Sequence, residues 1–358
     1  MKVDFLKPGI RKEDIDRAVK SLKSGWLVPD KYTLEFEKKL GSYLGGEAVM
    51  VSSCTAALHI ALILAGVGKG DEVITTPLSW VATANVILYC GAKPVFVDVD
   101  PRTGLIDIDK IKVTKKTKAV IPVHLYGQMV DMRRLRRKVG KIHIIEDAAH
   151  ALEAERDGIC PGEKGTACFS FHAAKNITCG NGGAIVSQDS EYATLLRRHG
   201  VKNQDGKRVM LELGYKYEAT DFQAALLIGQ LDRVEETRLQ RRRVFNRYRD
   251  AFEGKIDFPD EIENATHACH MFVIWVDPAK RDLIRQKLYK KGIQTSIHYE
   301  PIHLEPYYRE MGFKAGMFPN TEKLGASTIT LPTYALSKTK QDYVIKGVLN
   351  ACSSDSTR

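Results

Sequence analysis

Lys175 stands between a strand-like run, "TACFSF" (166–171), and a glycine-rich stretch, "GNGG" (180–183). A lysine amine freed of its proton can condense with an aldehyde carbon. Asp147 ends the apolar run in "HIIED" (143–147). A carboxylate shielded from water at that place needs a cationic or hydrogen-bonding partner. Ser52, Ser53 and Thr55 stand where "VMV" gives way to the helical pattern "CTAALHIAL". A helix start there would offer free N–H groups and hydroxyls to a phosphate. Trp80, just after "EVITT" (72–76), could lie flat against an aromatic ligand. Each residue also has a plainer reading: a solvated cation, a turn cap, a helix N-cap and a core aromatic.

What decides between these readings is the set of elements that must position them. Short apolar runs at 48–53, 72–76, 94–99, 118–124, 143–148, 168–171 and 183–187 read as strands. Helical patterns lie between several of them, at 55–65 and 79–89 for example. Continuous apolar strands alternating with helices predict an α/β fold, with a mostly parallel sheet sandwiched by helices. A long helical pattern covers 219–252. Beyond it, 269–276, 293–299 and 327–333 read as strands and 279–292 as a helix, with a closing helix after them. The expected division is a large domain over 1–245 and a small C-terminal α+β domain over 246–358.

In such sheets ligands bind outside the carboxyl ends of the strands. Lysine, carboxylate, aromatic and phosphate-suited hydroxyls all fall at strand ends of one sheet. Pyridoxal phosphate requires that set: an amine for its aldehyde, an acid for its ring nitrogen, donors for its phosphate and a flat neighbour for its ring. Nucleotide motifs point elsewhere. The would-be G-x-G-x-x-G at 180–185 ends in Ile185, and no G-x-x-x-x-G-K-[ST] occurs.

With 358 residues, 44% hydrophobic and 27% charged, the chain has an ordinary soluble composition. Seven cysteines without a C-x-x-C indicate neither a disulfide framework nor a zinc ribbon, and no metal site is expected. The first residues carry no secretory pattern and no apolar run approaches membrane-spanning length, so a reducing, cytoplasmic setting is expected. The net charge of +10 gathers partly in "RRLRRK" (133–138) and "RLQRRR" (238–243). Both have helical spacing and read as solvated helix faces. The charge alone would also suit an anionic substrate or a DNA-binding regulatory protein on the same scaffold.

Over nearly its whole length the chain resembles the DegT/DnrJ/EryC1/StrS sugar aminotransferases, a group of fold-type I pyridoxal-phosphate enzymes. The segments that carry the likeness include "KPGIRKEDIDRAVKSLKSGWL", "SSCTAALHIAL", "GDEVITTPLSWVATANVILYCGAKPVFVDVD", "IEDAAHALEA", "FSFHAAKNITCGNGGAIV", "GYKYEATDFQAALLIGQLDR" and "GIQTSIHYEPIH". The resemblance implies that Lys175 forms the Schiff base and moves the proton. It places Asp147 at the pyridinium nitrogen, Trp80 on the ring, and Thr55, the Ala56 backbone and Ser170 at the phosphate, with His150 near the cofactor. It further implies a homodimer with shared sites, glutamate as amino donor, and a nucleoside-diphosphate keto-sugar aminated at C3 or C4, with the aminated cofactor, PMP, as the intermediate form. A keto-inositol is the alternative acceptor. Lysine at 175, where one branch of the family carries histidine, favours transamination.

Three departures stand out. Lys216 and Glu218 occupy positions where the neighbouring subunit often supplies an Asn; Lys216 could take phosphate charge, and Glu218 is expected to point elsewhere. Asn181 replaces the usual Glu of the glycine loop. "GWLVPDKYT", beginning at Gly25, lacks the usual Gly-containing turn, which makes Trp26 a candidate at an atypical sugar pocket. His298, Tyr299 and His303 are candidates for sugar or nucleotide contacts or for purely structural roles. Lys207 and Arg208 are candidates for meeting a diphosphate.

Overall fold

The computed structural model describes residues 1–353. Seven strands form the central sheet: β1 (Ala48–Val51), β2 (Glu72–Thr75), β3 (Lys93–Phe96), β4 (Thr117–Val120), β5 (His143–Asp147), β6 (Thr166–Ser170) and β7 (Gly183–Val186). Their spatial order is β1-β7-β6-β5-β4-β2-β3. All run in one direction except β7, which pairs antiparallel with both β1 and β6.

Both faces are covered, which is why these strands read as continuous apolar runs. Along β7, Ala184 and Val186 enter one core and Ile185 the opposite one, as the two-residue period of a strand demands. The helix Cys54–Leu64 packs on the Ile185 side, and its residues 56–62 are all buried. The other core is built from Phe36, Leu40 and Leu44 of the helix Lys31–Leu44, with Leu227 and Ile228 of the helix Asp221–Asp232. Phe36 and Phe171 meet edge to face there, at 5.3 Å between centroids. Burial of each such ring is worth about 2–3 kcal/mol.

A second, smaller unit forms around the antiparallel pair Phe272–Trp275 and Thr328–Leu331, covered by the helices Arg281–Lys290 and Lys338–Ser353. The expected boundary at residue 245 falls inside the helix Val234–Phe252, which runs through it unbroken. Val244, Tyr248 and Phe252 bury their side chains in the second core, and so does Val3 from the chain start that was assigned to the large domain. The residues 293–299, expected as a strand, make only single bridges, Val3 to Ile293 and Ser296 to Thr330. The helical pattern of 219–252 is two helices that meet at Arg233, whose guanidinium is held by buried Asp14.

The basic run 238–243 is largely spent on ion pairs. Arg241 meets buried Glu153, Arg238 meets Glu235, and Arg242 meets Glu261. A helix face expected to be solvated therefore contains one buried anchor, Arg241. The run 133–138 lies on the short helix Met132–Val139, with Arg134 paired to Asp109.

Candidate active site

Strand β5 delivers Asp147 to the carboxyl edge of the sheet, and the helix N-terminus at Cys54 follows β1 at the same edge. Because β7 is reversed, its first residue also lies there: Gly183 is paired with Val51 on one side and Ser170 on the other. The loop joining β6 to β7 carries Lys175 and never leaves this edge. It closes on itself through Phe171 N to Gly182 O (2.8 Å) and Ala173 N to Gly180 O (2.9 Å).

These elements surround a cavity of about 450 Å³ lined by, among others, Thr55, Trp80, Asp147, His150, Ser170 and Lys175. Asp147 Oδ2 accepts from the Thr83 hydroxyl at 2.7 Å and Oδ1 from the Ala149 amide at 3.2 Å. With Thr83's proton committed to the carboxylate, Ser79 Oγ, 3.1 Å away, donates to Thr83. Burial raises the Asp147 pKa, against these donors and the attraction of Lys175. Burial also pushes Lys175 down from 10.5 to about 8, against the attraction of Cys54 and Asp147. A lysine in that range holds a usable fraction of neutral, nucleophilic amine near neutral pH.

Asn176, next in the chain, fixes the lysine loop from behind. Its Nδ2 donates to both Glu153 oxygens, at 3.0 and 2.8 Å, and to Ala268 O at 3.1 Å. Its Oδ1 lies 2.9 Å from His270 Nδ1.

The phosphate-suited corner has Ser53, Thr55 and Ser170 on the wall. The first amides of a helix have no partner within it. A Cβ on Gly183 would come within 2.4 Å of the Ser53 carbonyl carbon and 2.5 Å of Cys54 N, so only glycine lets β7 lie this close to the turn. Amine, carboxylate, hydroxyl corner and the Trp80 ring, which is 61% exposed, together fit pyridoxal phosphate.

Of the residues expected at the site, Thr55, Trp80, Asp147, His150, Ser170, Lys175, His298 and Tyr299 line this one cavity, as does Asn181 of the glycine loop. Four do not. Ala56 donates its amide to the Ser53 side chain at 3.1 Å, the ordinary N-cap bond, so that donor is taken. His303 is fully buried, its Nε2 3.0 Å from Glu322 and its ring against Phe318; it serves packing rather than the cavity. Trp26 is exposed and lies off this wall. Lys216 is bound to Glu218 at 2.5 Å, with Arg198 on the other Glu218 oxygen at 3.9 Å, which accounts for a Glu at that position. Lys207 and Arg208 lie on the exposed hairpin strand Lys207–Met210.

Sequence reasoning passed over Thr83, Asn176 and Glu153. Thr83 could have been found by asking which hydroxyl one helical turn beyond Ser79 would face the strand-end acid.

The DegT/DnrJ/EryC1/StrS aminotransferase family model matches residues 8–349. The Bacillus subtilis spore coat polysaccharide biosynthesis protein SpsC is 38% identical, over 95% of each chain. Spr1654 of Streptococcus pneumoniae, solved in PLP and PMP forms, superposes with a TM-score of 0.96 for the PMP form, at 30% identity over 99% of this chain and 98% of that one. Helicobacter pylori PseC, an aminotransferase involved in the biosynthesis of pseudoaminic acid, superposes with a TM-score of 0.93 at 28% identity, over 99% of this chain and 100% of that one. The chain belongs to the DegT/DnrJ/EryC1/StrS aminotransferase family and is a pyridoxal-phosphate-dependent sugar aminotransferase.

Proposed function

We propose that this enzyme moves an amino group from glutamate to a 3-keto or 4-keto sugar carried on a nucleoside diphosphate, in two half-reactions at one site. The observation that carries the reading is the single cavity onto which Lys175, Asp147 and the hydroxyls of Ser53, Thr55 and Ser170 all open. When bound, pyridoxal phosphate supplies an electron sink that lets an amino group leave one carbon and join another. Lys175 is the residue that would hold its aldehyde carbon, and its amine would be the group to take up and return a proton beside it. Asp147, oriented by its hydrogen bonds from Thr83 and Ala149, would face the ring nitrogen and pair with it in its protonated form. Ser53, Thr55 and Ser170 bind the phosphate. Trp80 covers the ring and excludes water from one face.

The exposed cations Lys207 and Arg208 stay the candidates to meet the diphosphate. An enzyme in amino-sugar synthesis accords with the printed roles of SpsC and PseC. The homodimer reading is supported by the exposed apolar run Trp26, Leu27, Val28. No helix among the described residues is long and apolar enough to cross a membrane. A cytoplasmic setting is proposed with the nucleotide-sugar substrate.

The test has two parts. Borohydride added to protein incubated with pyridoxal phosphate is expected to fix the cofactor on the peptide holding Lys175. Labelling that is absent, or unchanged in Lys175→Ala, would refute the lysine assignment. A panel of UDP-, dTDP- and GDP-linked keto-sugars with glutamate is expected to yield an amino sugar; amination of a keto-inositol alone would overturn the substrate and leave the lysine standing.

A further inference from the structure

The cavity occupies the carboxyl edge of the sheet, and the amino edge is strongly basic. Lys93 opens β3 beside Glu72, the first residue of β2, and Glu72 lies beside Thr117, the first of β4. Lys112, Lys115 and Lys116 stand on the segment that feeds β4, and Lys138 and Lys141 on the helix end and turn that feed β5. All six lysines are exposed. Their segments are tied together. The Glu72 amide donates to Lys116 O at 2.8 Å, the Lys93 amide to Asp71 O at 2.9 Å, and Lys138 Nζ to Asp109 O at 3.2 Å. The same segments carry four acids. Asp107 pairs with Lys110, and Asp109 with Arg134. Asp71 accepts from the Gly68 amide, and Glu72 from the Thr114 hydroxyl. Among the described residues none of the six lysines stands in an ion pair, so their charges outnumber those of Asp71 and Glu72.

Strand register sets these charges in a row. Ala119 lies beside His143, which brings Lys141 level with Thr117, and Thr117 is level with Glu72 and Lys93. Neighbouring strands stand about 4.8 Å apart, so the row of four spans about 14 Å. A row of unpaired lysines calls for a polyanion. A second copy of the chain would bring the same charge to the same place. Single-stranded nucleic acid needs rings on which its bases stack, and the segments 110–118 and 132–142 contain no aromatic residue. Duplex DNA is read by a helix free to enter its groove, whereas the helix Met132–Val139 is held on the core by Leu135 and Val139. A surface of anionic lipid headgroups asks only for cations side by side, at about fivefold in affinity for each one that comes near. Val113, 42% exposed between Lys112 and Lys115, adds an apolar contact for the headgroup boundary. We propose that the amino edge of the sheet docks this enzyme reversibly on an anionic membrane surface. The cavity stays clear of the lipid, since β5 sets Asp147 about 13 Å from His143 at the other end of the strand.

The experiment is co-sedimentation of the full chain with vesicles, at about 0.1 M salt, where charges still act over about 10 Å. One set of vesicles is phosphatidylcholine with about one third phosphatidylserine, and the other is phosphatidylcholine alone. The wild type is expected to partition onto the anionic set at least about tenfold better, and to leave it at about 1 M salt, where the range falls to about 3 Å. Lys115→Glu with Lys116→Glu is expected to lower that partition about a hundredfold or more, and Lys115→Gln with Lys116→Gln about 25-fold. Lys20→Glu with Lys23→Glu, on the exposed end of the helix Lys12–Lys23, makes the same change in net charge and is expected to bind like the wild type. No preference for the anionic vesicles overturns the proposal. So does an equal loss in the two glutamate variants, which would make net charge rather than this edge the cause. Binding of a duplex DNA fragment under conditions where the vesicles are ignored overturns the choice of lipid.

Discussion

Replacing Lys175 by methionine should make the cofactor-free protein more stable while it abolishes transamination. Burial lowers the Lys175 pKa from 10.5 to about 8. At about 1.36 kcal/mol for each factor of ten in proton affinity, that corresponds to about 3 kcal/mol of cost for holding the ammonium ion in the folded state. The side chain is only partly buried and opens on the cavity, so solvent screening reduces this to about 2 kcal/mol. The pH dependence follows from the direction of the shift. Below pH 8 both folded and unfolded lysine are charged, and the cost is present in full. Between about 8 and 10.5 the folded state has lost its proton while the unfolded chain keeps it, so wild-type stability rises with pH. Above 10.5 the cost is gone. Methionine has no proton to lose and no charge to bury. Urea unfolding of the apo forms at pH 6.5, 7.5, 8.5 and 9.5 is therefore expected to show Lys175→Met ahead by about 2 kcal/mol at the two lower values. The gap should narrow at the two higher ones. A variant no more stable than wild type at pH 6.5, or a gap that does not change with pH, would refute the reasoning that the amine is destabilised by its site.

Thr83→Val removes the 2.7 Å hydrogen bond to Asp147, a charge-assisted contact worth about 1.5–3 kcal/mol, and should weaken cofactor retention on dialysis about tenfold or more, with Thr83→Ser near wild type. Gly183→Ala would press a Cβ into the Ser53–Cys54 turn and should weaken pyridoxal phosphate much more than phosphate-free pyridoxal; equal losses would remove that turn from the phosphate site. Arg241→Met leaves Glu153 buried beside Asn176 without its cation and should cost about 3–5 kcal/mol in chemical denaturation, part of it recovered by adding Glu153→Gln.

The sheet was legible because covered strands leave continuous apolar runs, and all seven runs between residues 48 and 187 became strands of one sheet. The residues at its carboxyl edge could be named for the same reason: an acid or lysine that interrupts such a run stands out. What the pattern did not carry was side-chain partnership. Composition left open whether Ser53 caps the helix or faces a phosphate, and whether His303 is chemical or structural; the Ser53–Ala56 bond and the Glu322 and Phe318 contacts decide both. Both partnerships depend on turns whose direction is set by packing rather than by local composition. The run 293–299 has strand composition yet makes only isolated bridges, Ser296 to Thr330 on the free side of the small sheet and Ile293 to Val3. The boundary expected near residue 245 lies within a helix that serves two cores at once, with Val234 in the first and Tyr248 in the second.

The direction of β7 is the feature on which the site depends most, and the one that periodicity cannot report, since a strand reads the same either way. In a fully parallel sheet the chain leaving β6 would cross to the opposite edge before starting the next strand. Lys175 would then lie on a crossover segment, with nothing to hold it at the edge where Asp147 ends. Reversal lets residues 171–182 fold back on themselves at the carboxyl edge, so the lysine is clamped by both flanking strands. It also brings Gly183 against Ser53 and Cys54, joining the lysine loop to the phosphate corner through backbone contact alone. Amine and phosphate donors are thus set by one antiparallel pairing, whereas the acid is set by the parallel pairing of β5 with β6. Because β6 belongs to both pairings, a shift in its register would move Lys175 and Asp147 against each other. The buried Phe169 and Phe171, at the end of that strand, are what prevent the slip.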